Sequence, residues 1–100
     1  METYDIYIGG SFQKTNKILR IINPYNNQPF AETYLGSEAD LEEAISKAQS
    51  AENVLKGLSS FERFDILRYI ASTLSQRKDH LSKVLAQESG KPLIYAGAEI

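Results

Sequence analysis

The sequence predicts an α/β fold in which a small antiparallel strand meander (residues 1–36) precedes three to four amphipathic helices (residues 37–100). Three observations predict it. Up to Gly36, short runs alternate apolar and polar residues and are separated by Gly, Asn and Pro, the punctuation of strands and turns. Beyond Gly36, apolar residues recur at three- and four-residue spacing, the period of a helix face. Two Ser-x-x-acid spacings, Ser37/Asp40 and Ser59/Glu62, stand just ahead of two of those stripes, where helix N-termini need a hydroxyl and a carboxylate.

Taken in order, "YDIYIGG" reads as a strand closed by a turn at Gly9-Gly10. "KILRIINP" is an Ile-rich strand stopped by Asn23-Pro24, and "PYNNQP" concentrates loop residues. "PFAETYLG" alternates again to Gly36, so the loop around Asn26 and Asn27 joins a hairpin. The first helix carries Leu41, Ala44, Ile45, Ala48 and Leu55 on one face and closes at Gly57. The second carries Phe64, Leu67, Ile70, Ala71 and Leu74. A bend in the polar "SQRKDH" precedes a third stripe at Leu81, Val84 and Leu85, which Gly90 ends. Pro92 then opens a fourth helix at its first helical position, with Leu93, Ala96, Gly97 and Ile100 at helical spacing. That last stripe has no stop signal by Ile100, so the expectation is a segment of a larger body, incomplete at its C-terminus. The pattern contains no internal repeat, low-complexity tract or linker.

With 42% hydrophobic and 24% charged residues, the composition is that of globular material. A net charge of −2 supplies no global reason to bind nucleic acid or an acidic membrane. The absence of Cys excludes a disulfide framework, a thiol nucleophile and a thiolate metal ligand within these residues. The opening "METYDIYIGG" carries acid where a signal peptide needs base, and no stretch approaches the length of a membrane span. A soluble, cytoplasmic protein is expected.

Candidate chemical motifs are few. "SGKP" fails as a phosphate loop, because Leu85 stands where the first glycine belongs and Pro92 where Ser or Thr belongs. Gly90 reads instead as a helix C-cap, with Lys91 as a cation near a helix C-terminus. Gly9-Gly10 lacks the third glycine of a dinucleotide fingerprint, and His80 stands alone in a polar run. The six tyrosines are scattered and do not interleave with base, and Lys14, Lys17 and Arg20 form only a small basic cluster. Glu88 is the one residue that resists an ordinary reading. It lies seven residues after Leu81 on an apolar stripe, in the last turn of its helix, where the macrodipole is unfavourable to an anion. One reading pairs it with Arg or Lys at the rim of the core; the other makes it an oxygen ligand for a hard cation, completed by backbone carbonyls.

Taken together, "YIGGSF", "IINPYNNQPFAE", Asp40 through Ala48, "ERFDIL" and "ESGKPL…AEI" stand in the order found at the N-terminus of NAD(P)-dependent aldehyde dehydrogenases. The chain resembles that family over nearly its whole length. It departs from it at Leu55, where many members have Trp, and at Ser59, where many have Pro.

The resemblance implies the aldehyde dehydrogenase-like α/β fold, with this chain as the N-terminal part of the cofactor-binding domain. It implies oxidation of an aldehyde to a carboxylic acid through a Cys thiohemiacetal and thioester, with NAD or NADP as cofactor and assembly into dimers or tetramers. In the family pattern every catalytic residue and the principal dinucleotide contacts lie beyond Ile100, so none is assigned here. One family site does reach this chain: a structural Na or K ion held by the backbone carbonyls of Ile21 and Ile22 and the carboxylate of Glu88. On its own the chain is expected to be inactive scaffold that associates or is partly molten. The alternative is a stand-alone helical protein-interaction module without catalytic activity.

Overall fold

The computed structural model describes residues 1–100 and places five short strands ahead of four helices. The strands are β1 (Glu2–Thr3), β2 (Ile6–Ile8), β3 (Ser11–Gln13), β4 (Ile18–Asn23) and β5 (Gln28–Tyr34). The helices are α1 (Glu38–Lys56), α2 (Ser60–Gln76), α3 (Lys78–Ser89) and α4 (Leu93–Glu99). The α/β class, with strands ahead of helices, is as the sequence predicts.

By contacts the chain forms two compact units, residues 1–21 with 29–57 and residues 22–28 with 58–100. In the first, β2 and β3 form an antiparallel hairpin with Tyr7 opposite Phe12, and Gly9 and Gly10 both adopt positive φ in its two-residue turn. The Tyr7 and Phe12 rings meet edge to face at 5.1 Å. A second sheet has the order β1-β5-β4. One pairing departs from the expected antiparallel meander, because β1 runs parallel to β5, Glu2 beside Ala31 and Thr3 beside Glu32. The intervening β2–β3 hairpin lets the chain re-enter the sheet in the same direction, which a purely sequential meander does not allow. The Tyr4 N–H continues this pairing to the Glu32 carbonyl at 2.8 Å, and the Thr33 hydroxyl donates to the Tyr4 carbonyl at 2.8 Å. On the other side of β5, Glu32 meets Arg20 of β4 at 3.3 Å.

The start of α1 is a full capping box. The Ser37 hydroxyl oxygen accepts the Asp40 N–H at 3.1 Å, and the Asp40 carboxylate accepts the Ser37 N–H at 2.8 Å. Gly57 closes α1 in ordinary right-handed geometry, its N–H bonding back to the Asn53 carbonyl.

In the second unit, the loop between β4 and β5 is held by its own asparagines. The Asn23 side-chain oxygen accepts the Tyr25 N–H at 2.9 Å, that of Asn26 accepts the Gln28 N–H at 3.0 Å, and Asn27 takes the left-handed conformation it tolerates. Ser59 caps α2 through the Glu62 N–H. The expected bend in "SQRKDH" is a single residue, Arg77, between α2 and α3. At the far end of α3, Gly90 is left-handed (φ 73°) and returns its N–H to Ala86 at 2.9 Å. Pro92 precedes α4 as its N-cap rather than occupying the first helical position, since its ψ of 142° is extended.

Burial is sparse. Ile8 and Ala31 are buried in the first unit, Ser82 and Ala96 in the second, and neither α1 nor α2 buries a residue. The pairing of α3 with α4 rests on small residues: Ala96 is fully buried, and a Cβ at Gly97 would stand 3.7 Å from the Ser82 hydroxyl. No helix is long and apolar enough to cross a membrane.

Candidate functional site

Strand β4 carries Ile21 in the first unit and Ile22 in the second, immediately before the turn. Glu88 is the penultimate residue of α3, also in the second unit. Within that unit the turn after Ile22 sits against the C-terminus of α3, where a Cβ added to Gly90 would approach Pro24 Cγ to 3.1 Å. Asn23, Tyr25, Gln87, Gly90 and Pro92 line a shallow cleft there. Helix packing positions the acid, helix termination at Gly90 brings in the turn, and the asparagine-held turn fixes the strand end that carries Ile22.

Glu88 is exposed and makes no ion pair, so it is not the paired acid of a core rim. Ser82 is buried in α3, with Leu81, Val84, Leu85 and Ala86 half-buried around it, and Glu88 follows Leu81, Val84 and Leu85 into the last turn, where it is exposed. Its carboxylate therefore adds negative charge near the carbonyl end of a helix, with no cation from the chain to offset it. The nearest basic residue in sequence, Lys91, is engaged elsewhere: it pairs with Glu99 at the end of α4. Periodicity did not show that pair. The spacing that would reveal it is a base just before a seven-residue helix and an acid at its last position.

Ile22 and Glu88, both in the second unit, offer only oxygen donors, a backbone carbonyl and a carboxylate. No three His, Cys, Asp or Glu side chains converge to hold a metal. His80 is exposed in the first turn of α3. The chain has no Cys. Arg68 lies over the Phe64 ring at 6.0 Å, and no further catalytic constellation accompanies it. The first unit has a groove beside the α1 N-terminus, lined by Ile6, Ile8, Ser37, Glu38, Asp40 and Leu41, of which Ser37 and Asp40 are engaged in the capping box.

Comparison with known proteins gives these features a context. The model of the aldehyde dehydrogenase family matches residues 12–100. The chain is 29% identical over 100 residues to 3-sulfolactaldehyde dehydrogenase of Priestia aryabhattai, covering all of this chain and 20% of that protein. It is 34% identical over 80 residues to lactaldehyde dehydrogenase of Methanocaldococcus jannaschii, covering 80% of this chain and 17% of that one. The crystal structure of aldehyde dehydrogenase 21 from Physcomitrella patens, in complex with the reaction product succinate, superposes with a TM-score of 0.94. That match has 25% identity and covers 98% of this chain and 21% of the other. The chain thus spans about a fifth of the length of the relatives it matches.

Proposed function

The chain belongs to the aldehyde dehydrogenase family, and we propose that it supplies the N-terminal scaffold of the cofactor-binding domain of an enzyme that oxidises an aldehyde to a carboxylic acid. The observation that carries this reading is the near-complete overlap of the chain with one fifth of a succinate-bound aldehyde dehydrogenase. The names of the relatives at 29% and 34% identity support a small aldehyde as substrate. NAD or NADP is the cofactor implied by the family; when bound, its nicotinamide accepts hydride. With no Cys in the chain, the thiol nucleophile of this chemistry is not among these residues, and the role of residues 1–36 and 37–100 is to hold strands and helices in place. Cytoplasmic residence and assembly into dimers or tetramers belong to the same proposal and rest on the family resemblance.

The Na or K ion role of Ile21, Ile22 and Glu88 is a further part of this reading. It is supported by the oxygen-only donor set and by the unpaired Glu88 carboxylate at a helix C-terminus.

The test follows absorbance at 340 nm after adding lactaldehyde and NAD or NADP. The purified 100-residue chain should give no turnover, whereas a polypeptide joining it to the remaining four-fifths of such an enzyme should reduce the cofactor in an aldehyde-dependent way. Turnover by the 100 residues alone, or none by the longer polypeptide, would overturn the proposal.

A further inference from the structure

We draw no further inference here: the strongest candidate, the cleft between α3 and α4 lined by Lys78, Asp79, Ser82, Lys83, Leu93 and Gly97, carries nothing, because its one buried polar group, the Ser82 hydroxyl, already donates to the Lys78 carbonyl and the charged side chains lining it are exposed and of both signs.

Discussion

Gly90 and Pro24 are so close that a Cβ on the glycine would lie 3.1 Å from the proline Cγ. One residue thereby ends α3, by taking φ 73°, and seats the turn that follows β4. Gly90→Ala meets both demands badly. The left-handed backbone costs an L-residue about 1–2 kcal/mol, and Pro24 must shift as well. Exchange of the Gly90-position amide, bonded to Ala86 in the native chain, should accelerate about 5–30-fold, the equivalent of that cost. An unchanged rate would mean that the left-handed cap is not needed.

Glu88 should matter through cations and not through packing, because it is exposed and unpaired. In the longer enzyme polypeptide, the thermal midpoint should be higher in KCl or NaCl than in choline chloride of equal ionic strength. Glu88→Gln should remove most of that difference while leaving the choline value nearly unchanged. A variant that keeps the full alkali-ion response would exclude the Glu88 ligand.

Ser37→Ala removes one half of the α1 capping box and leaves the Asp40 N–H without its acceptor. The expected loss is about 1 kcal/mol. It is read as several-fold faster exchange in the first turn of α1, and Ser37→Asp should restore most of it. Equal behaviour of the Ala and Asp variants would assign the effect to something other than capping.

Gly9 is hemmed in by the stem of Lys47, whose Cγ would lie 2.5 Å from an added Cβ. Gly9→Ala therefore combines backbone strain at φ 56° with a clash. Strand amides of β2 and β3 should lose protection, and Lys47→Ala in the same chain should recover the clash component only. If Lys47→Ala recovers nothing, the lysine gives way freely and strain is the whole cost.

The Tyr4 hydroxyl donates to the Glu2 carboxylate, and this bond, followed by desolvation and the charge of Glu2, raises the phenol above its ordinary value. A raised folded value means that the interaction contributes fully below the unfolded pKa and is lost as pH climbs through the folded one. Glu2→Gln should therefore lower the Tyr4 titration midpoint in a carbon-13 NMR titration. An unmoved midpoint would dissociate the shift from Glu2.

Helix boundaries were legible because their causes are local. Ser37, Asp40, Ser59, Glu62, Gly57 and Gly90 all stand where the structure uses them. The parallel β1–β5 pair was not legible, since two residues carry no period and their partner lies far along the chain. Glu88 continues the half-buried stripe of Leu81, Val84 and Leu85, but in the last turn of α3 it is itself exposed. Hydrophobic spacing follows large side chains, whereas the α3–α4 contact is made by Ser82, Ala96 and Gly97, whose value is their smallness. The family order of segments pointed to the oxygen donors but carries no information about burial.

The pairing of Thr33 with Tyr4, 29 positions apart, has a kinetic meaning. Closing a loop of that length costs on the order of 3 kcal/mol of chain entropy beyond a constant, and a two-residue ladder returns little of it. Strand β1 therefore has no place in a folding nucleus. It joins after the β4–β5 hairpin exists and leaves first on unfolding, so its mutations should alter the unfolding rate and spare the folding rate.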